Sequence, residues 1–299
     1  GLGVFSCSNL PYGWFNAYAR VARRADLDAV LHLGDYLYEY AQGEYNDPDL
    51  AALRPVDPPN EIITLEDYRR RYACYRRDPD LRECHRQHPF ICVWDDHEIA
   101  NDAWMHGAEN HNEGEGDFAD RKRAAVRAYY EWMPIRMGFP DRAMRIYRRF
   151  DYGDLLTLMM LDTRLIGRDE QVGSPSAARD RDRQLLGQDQ REWLFEQLEY
   201  SRGRGARWHV IGQQVMLSPL TLGTLPDMPN WDLGGGAQLN YDQWDGYETS
   251  RRVLLGRIEA MALDNTVVLT GDIHSSWAMD VSADPGNALV YNRFTGEGS

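Results

Sequence analysis

Short runs of apolar residues alternate along this chain with longer stretches in which apolar positions recur every three or four residues. The short runs are rich in Val, Ile, Leu and Met and are bounded by Gly, Asp and Ser, which favours β-strands. They predict strands at Gly3–Ser6, Ala29–Leu33, Phe90–Trp94, Asp154–Leu161, Trp208–Gly212 and Thr266–Thr270.

The longer stretches have the spacing of helices with one buried face. They predict helices at Trp14–Ala25, Leu65–Tyr75, Asp80–Gln87, Phe118–Met133, Gln188–Ser201 and Ser250–Ala262. Strands that alternate with helices in this way are typical of an α/β protein. A last apolar run, Asn287–Phe294, predicts one more strand near the end of the sequence.

Two segments are predicted to be irregular. His106–Gly116 is rich in Gly, Asn and Glu and predicts a mobile loop, and Leu217–Asn240 contains three Pro and the triplet Gly234–Gly236. Loops of this length often form walls of active sites. For each segment, a plain surface loop is an equally good interpretation.

The charge balance restricts the classes of partner. The 299 residues carry 33 Lys and Arg against 47 Asp and Glu, a formal net charge of −14. Phosphate backbones and acidic membranes need a basic face, so we expect no nucleic-acid-binding face. No apolar run approaches the length of a membrane span. A small anionic substrate stays compatible, because bound metal ions can reverse the local field.

Polar clusters follow five of the six predicted strands of the sheets. In open α/β sheets the carboxyl ends of the strands form the ligand crevice, so these clusters are expected to converge there. Each residue taken singly is more typical of a helix cap or a turn, or of packing for the Cys and Tyr. Together they are a candidate metal site, made of Cys7, Asp35, Tyr38, Asp96, His97, Gln213, Asp272 and His274.

The order of these motifs resembles the metallophosphoesterase superfamily, and more closely its PhoD family of alkaline phosphatases and phosphodiesterases. The resemblance rests on Phe5–Ser8, Gly34–Tyr40 (Gly-Asp-Tyr-Leu-Tyr-Glu-Tyr), Tyr68–Ala73, Trp94–Glu98 (Trp-Asp-Asp-His-Glu), Leu161–Arg164 and Leu269–Trp277. It implies an α/β fold with a four-layer α/β/β/α sandwich, in which two mixed sheets are flanked by helices.

The resemblance also implies one PhoD-like domain over residues 1–299. We expect that this chain lacks the additional N-terminal β domain of the family and that its C-terminus is truncated. Because PhoD-like enzymes are generally exported, we expect a periplasmic or secreted protein. The oligomeric state is left open.

The resemblance implies two metal sites. In the generic superfamily, Asn and His residues hold the second metal. Here the matching residues are Asp96, Gln213 and Asp272, with Asp35 as the bridging carboxylate. Oxygen donors alone favour hard cations such as Ca²⁺ or Mg²⁺. Together with the resemblance, this donor set predicts Ca²⁺.

The first metal site offers Cys7, Asp35, Tyr38 and His274. A Tyr at this place in the motif resembles the iron ligand of purple acid phosphatases. Thiolate, phenolate and carboxylate together stabilise a trivalent charge, so the prediction is Fe³⁺. Zn²⁺ or Mn²⁺ are the alternative ions.

The expected reaction is hydrolysis of phosphate monoesters and diesters, through in-line attack by a hydroxide that bridges the two metals beside Asp35. His97 is expected to donate a hydrogen bond or a proton to the phosphoryl or leaving group, oriented by Glu98 or another nearby carboxylate. Asn101 either adds a metal ligand or a phosphate contact, or it is a helix cap.

Further substrate contacts are predicted less specifically. Arg164 is the main candidate for binding phosphate, with Arg70 or Arg71 as alternatives, because Arg suits bidentate recognition. Trp244 and Tyr247 either contact the organic part of a small phosphoester substrate or cover the core.

Two other functions compete with this prediction. A phosphotriesterase on the same site would have an aromatic pocket near Trp244 and few arginines. A non-catalytic metal-binding descendant would lack a ligand, and none is missing from the sequence.

Overall fold

A computed structural model describes residues 1–136, 145–222, 237–238, 240–282, 287, 289–292 and 294–298. These residues form two compact units, Gly1–Ile146 and Tyr147–Ser299. Each unit contains one main β-sheet with helices, so the chain has a mixed α/β fold with two sheets.

The first unit is built on a three-stranded parallel sheet. Its elements are β1 (Leu2–Phe5), α1 (Asn16–Ala22), β2 (Ala29–His32), α2 (Pro48–Ala51), α3 (Leu65–Arg76), α4 (Pro79–Gln87), β3 (Phe90–Cys92) and α5 (Phe118–Trp132). The strands lie in the order β1-β2-β3, with Val4 opposite Leu31 and Leu31 opposite Ile91. Helical crossovers between consecutive strands impose the parallel direction. The expectation of a mixed sheet is therefore wrong for the described part of this unit.

Local sequence signals explain where the helices of the first unit begin. Thr64 and Asp67 form a reciprocal capping box at the start of α3. Asp78 and Asp117 accept backbone N–H bonds at the starts of α4 and α5. These side chains satisfy N–H groups that have no partner within the helix.

The second unit is built on a four-stranded mixed sheet. Its elements are β4 (Arg148–Tyr152), β5 (Leu156–Met160), α6 (Pro175–Ala178), α7 (Gly187–Gly203), β6 (Trp208–Gly212), β7 (Thr221–Leu222), β8 (Ala237–Gln238), α8 (Glu248–Ala260) and β9 (Thr266–Leu269). The strand order is β4-β5-β6-β9, in which only β4 runs antiparallel to its neighbour. β7 and β8 form a separate antiparallel pair.

The six strands and six helices predicted along the body of the chain are present, with ends shifted by a few residues. β4 was not predicted, because it begins with Arg148 and Arg149 and has no apolar run. The predicted strand Asn287–Phe294 is wrong where the structure describes it, since Val290 N–H and Tyr291 N–H both donate to the carbonyl of Asn287 in a turn. Most of the predicted Leu217–Asn240 excursion lies outside the described residues.

The segment His106–Gly116 is irregular, as predicted, but the buried Arg121 of α5 anchors it. The Arg121 guanidinium donates to the carbonyl of Asn110 at 2.8 Å and to the carboxylates of Glu115 at 2.9 Å and Glu61 at 2.7 Å. None of the helices in the described ranges is both long and apolar enough to cross a membrane.

Candidate metal centre

The loops after β1, β2 and β3 are packed against one another at the carboxyl edge of the first sheet. The Cys7 N–H donates to the carbonyl of Gly34 at 3.1 Å, and the Ser8 N–H donates to the carbonyl of Asp35 at 2.7 Å. Gly34 has a φ of +114°, and a Cβ at this position would lie 2.5 Å from the backbone nitrogen of Asp95. Only glycine therefore allows this close approach.

Four of the predicted metal ligands have left-handed backbone conformations. The φ angles are +58° at Cys7, +54° at Asp35, +66° at Asp272 and +50° at His274. Such conformations are uncommon for residues other than glycine, and they concentrate at functional sites. The first two follow strands of the first sheet, and the other two follow β9 in the second unit.

Asp35, Asp96 and His97 form a buried cluster in the first unit. One possible ligand atom from each side chain lies within 4.8 Å of the others, and the two aspartates are 1% and 2% exposed. Two buried carboxylates this close repel each other, so a bound cation would lower the free energy of the cluster. The donor set therefore fits a metal ion. The two aspartates were predicted as metal ligands, with His97 beside them.

Cys7 and Tyr38 also lie at this edge. The Cys7 thiol and the Asp35 carboxylate come within 4.8 Å of each other, and the buried Tyr38 hydroxyl donates to Asp35 Oδ2 at 3.4 Å. Burial, together with the nearby Asp35 and Cys7, raises the pKa of Tyr38 well above its ordinary value. A phenolate would need a strongly charged cation beside it, as the prediction of Fe³⁺ assumes.

The orienting partner of His97 is Glu39. His97 Nδ1 lies 2.7 Å from Glu39 Oε2, and because a carboxylate only accepts, Nδ1 carries the proton. Glu39 Oε1 accepts from the Asn101 N–H at 2.7 Å and from Asn110 Nδ2 at 2.9 Å. Burial lowers the pKa of His97, but Asp96, Glu39 and Asp35 outweigh burial and raise it well above its ordinary value.

Glu98, the first partner suggested for His97, has a different role. Its carboxylate accepts from the backbone N–H groups of Asp35 at 3.0 Å, Tyr36 at 2.7 Å and Asp95 at 2.8 Å. It therefore joins the loop after β2 to the loop after β3. The suggestion of Glu98 was wrong, and the open alternative of another carboxylate is what the structure shows. Glu39 lies within the Gly34–Tyr40 motif, which was the available signal.

Arg164 does not present its guanidinium to solvent. It is fully buried, and it donates to Asp242 Oδ1 and to Asp272 Oδ1, each at 2.8 Å. Gln243 Nε2 donates to the other oxygen of Asp272 at 2.5 Å. The prediction that Arg164 contacts phosphate is therefore corrected: Arg164 and Gln243 orient the Asp272 carboxylate.

Gln213 and Trp244 are buried together in the second unit. Gln213 Nε2 donates to the carbonyl of Val215, and Gln213 Oε1 accepts from Trp244 Nε1 at 3.2 Å. The amide oxygen of Gln213 is thus oriented, with a second lone pair that could bind a cation. Trp244 and Tyr247 pack in the hydrophobic core of this unit, so their predicted contact with substrate is corrected to the alternative of core packing.

The remaining candidates have protein partners or are exposed. Asn101 Nδ2 donates to Glu109 at 3.1 Å. The exposed Arg70 pairs with Asp57. Arg71 is buried and donates to backbone carbonyls, among them Tyr40 at 3.1 Å, so its role is structural. His274 is exposed.

Comparison with known proteins assigns the family. Residues 2–298 match the model of the PhoD-like phosphatase family. Alkaline phosphatase D of Bacillus subtilis (strain 168) is 38% identical over 293 residues, which cover 93% of this chain and 46% of that protein. A solved structure described as the structure of PhoD is 36% identical, with a TM-score of 0.83, and the match covers 95% of this chain and 52% of that one.

A more distant likeness concerns the fold alone. The purple acid phosphatase PPD1 from yellow lupin (Lupinus luteus) seeds is 14% identical, with a TM-score of 0.51 over 91% of this chain and 37% of that one. The chain spans about half the length of the PhoD relatives that it matches. The family model nevertheless covers almost every residue, and this chain belongs to the PhoD-like phosphatase family.

Proposed function

We propose that this chain hydrolyses phosphate monoesters and diesters in a metal-dependent reaction, as an alkaline phosphatase D-like enzyme. The observation that carries the proposal is the buried Asp35, Asp96 and His97 cluster, in a chain whose family match extends over residues 2–298. We further propose that residues 1–299 form one domain with a four-layer α/β/β/α arrangement. The likeness to PhoD supports this part of the proposal.

The proposed first metal is Fe³⁺, held by Cys7, Asp35, Tyr38 and His274. Its support is the mixture of thiol, phenol, carboxylate and imidazole donors, three of which carry negative charge when bound to a metal. Left-handed backbone at three of the four positions adds to this support.

The proposed second metal is Ca²⁺, held by Asp35, Asp96, Gln213 and Asp272. All four donate oxygen, which hard cations prefer. The hydrogen bonds that orient the Gln213 amide and the Asp272 carboxylate are those expected around ligands of a metal. Zn²⁺ or Mn²⁺ are the alternatives in either site.

The metals would supply polarisation of the phosphoryl oxygens and activation of a water molecule. The chain's own residues position the reactants. Glu39 holds the proton of His97 on Nδ1, which leaves Nε2 as the atom for the phosphoryl or leaving group. Arg164, buried behind Asp272, offsets its charge and sets its orientation without touching substrate.

The test is elemental analysis of the purified protein together with hydrolysis of p-nitrophenyl phosphate and bis-p-nitrophenyl phosphate. We expect about one iron and at least one calcium per chain, and a loss of at least about 100-fold in kcat for Asp35→Asn. The exposed Asp264 gives the matched control, Asp264→Asn, which should keep both metals and activity. A protein that binds no metal, or hydrolyses neither ester, would refute the proposal.

In the part of the chain that the structure describes, nothing favours the phosphotriesterase alternative, because Trp244, near which it would have an aromatic pocket, is part of the core. We propose a small phosphoester as the substrate, and export to the periplasm or the medium as the location. Fractionation of cells that express the natural gene would test the location.

A further inference from the structure

Three tyrosines lie next to one another beside the candidate metal centre of the first unit. The ring centroids of Tyr12 and Tyr45 are 5.3 Å apart, and those of Tyr40 and Tyr45 are 5.2 Å apart. These are ordinary distances for aromatic contact. Tyr12, Tyr40 and Tyr45 are called the aromatic platform below.

The platform reaches directly to the cluster that would hold a phosphoryl group. The Tyr45 ring lies 5.6 Å from the Tyr38 ring and 6.3 Å from the His97 ring, the latter at an interplanar angle of 19°. The Tyr40 ring lies 5.5 Å from that of His97. An organic group attached to a phosphate beside His97 would therefore meet these rings.

The platform is accessible, in contrast to the tyrosines around it. Tyr12 is 47% exposed, and Tyr40 and Tyr45 are half-buried. Tyr36 and Tyr38, from the same loop, are buried. The three platform rings therefore keep surface that a ligand can reach, which the buried tyrosines do not.

The loop after β2, which carries Tyr40 and Tyr45, is held in place on both sides. Arg71 donates to the carbonyl of Tyr40 at 3.1 Å, and Asn9 Nδ2 donates to the carbonyl of Tyr45 at 3.3 Å. Asp47, two residues after Tyr45, caps the short helix α2. Because these bonds already order the backbone, little conformational entropy is lost when a ligand binds.

We propose that the aromatic platform is a subsite for an aromatic ring carried by the phosphate ester, so that the enzyme prefers aryl-type phosphoesters to small alkyl ones. The proposal rests on the proposed function, because it places the phosphoryl group beside Asp35, Asp96 and His97. Apart from bound metal ions, the chain with its net charge of −14 gives no long-range attraction for an anion, so contacts to the organic part would add to the affinity. Stacking on aromatic rings is a suitable source, since it depends on ring area rather than charge.

The experiment compares the binding of phenylphosphonate and methylphosphonate to the metal-loaded protein by isothermal titration calorimetry. Neither compound has a bond that the proposed reaction would hydrolyse, so the two differ only in the organic group. We expect phenylphosphonate to bind about fivefold to tenfold more tightly. In Tyr45→Ala this ratio should fall to about twofold or less, and in Tyr45→Phe, which keeps the ring, it should be retained.

Tyr200→Ala is the control, because it removes a tyrosine ring that is 43% exposed and lies on α7 of the second unit. It should leave the ratio unchanged. Equal affinities of the native protein for the two phosphonates, or a ratio unaffected by Tyr45→Ala, would overturn the inference. Hydrolysis of p-nitrophenyl phosphate is measured on the same samples. If this hydrolysis is absent, the proposed function is refuted. The ratio of the two phosphonate affinities still tests whether the aromatic platform binds an aromatic ring.

Discussion

Replacing Glu39 with Gln should show how much the orientation of His97 contributes to the reaction, because the variant keeps His97 but removes the carboxylate that orients it. Oε2 of the Glu39 carboxylate accepts a hydrogen bond from His97 Nδ1. Oε1 accepts two, from the Asn101 N–H and from the Asn110 side chain. Gln offers one oxygen and one NH₂ group in the same shape. Whichever way the amide turns, its NH₂ group faces a donor.

The amide orientation of lower free energy keeps the oxygen at the Oε1 position, where it accepts the hydrogen bonds of Asn101 and Asn110. The NH₂ group then faces His97 Nδ1, which has to lose its proton and accept. The ring would change to the tautomer with the proton on Nε2, and the negative charge that stabilises a protonated His97 would be gone. We expect stability to fall by about 1–3 kcal/mol and kcat to fall by about 10- to 100-fold, the usual effect of losing an orienting carboxylate.

The assay is kcat and KM for p-nitrophenyl phosphate across pH, with metal content and urea unfolding measured on the same preparation. The exposed Glu113 provides the control variant Glu113→Gln. A structural role alone would lower stability or metal content and leave kcat per metal-loaded molecule intact. If Glu39→Gln keeps its metals and its kcat, then Glu39 does not position His97 for the reaction.

Three further predictions concern stability, measured by urea unfolding. Gly34→Ala should lower the free energy of unfolding by about 3 kcal/mol or more, because the new Cβ would overlap Asp95 and φ at this position is +114°. A decrease of less than about 1 kcal/mol would contradict the close approach of the two loops. Thr64→Ala should lower the free energy of unfolding by about 1 kcal/mol, since it removes the capping box with Asp67. Ser176→Ala, a change at an exposed serine, is the control and should lower it by less. Burial, with Arg76 nearby, lowers the pKa of His85 to about 3. The folded state therefore prefers the neutral ring, and stability should fall as pH drops from about 6.5 towards 3, by about 2 kcal/mol at pH 5; His85→Gln should flatten this slope, and an unchanged slope would contradict the assignment.

The sequence predicted the candidate ligands because they follow strands, and strands are visible as short apolar runs. Parallel strands bring their carboxyl ends to one edge, so Cys7, Asp35 and Asp96 could be grouped from the sequence alone. β4 could not be predicted, because it begins with two arginines and has no run of apolar residues, and its pairing with β5 is what makes it a strand.

The partners of the ligands were harder to predict than the ligands. Which carboxylate meets His97 depends on the path of the loop after β2, and adjacent acidic residues in a motif do not reveal that path. Arg164 looked like a phosphate-binding residue because nothing in the sequence indicates that Asp242 and Asp272 would occupy both sides of its guanidinium. Long-range ion pairs of this kind are properties of the folded chain.

The left-handed backbone at Cys7, Asp35, Asp272 and His274 also limits how this protein can change over evolutionary time. A substitution at these positions has to suit the backbone as well as any metal bound there, and β-branched residues are the least suited to such φ angles. In a library of variants selected only for folding, Gly and Asn should therefore be enriched at positions 35 and 272, and Val and Ile depleted, although no activity is required. An exchange of one ligand type for another is accordingly easiest among Asp, Asn and His, so a lineage can alter its metal preference without rebuilding the turns.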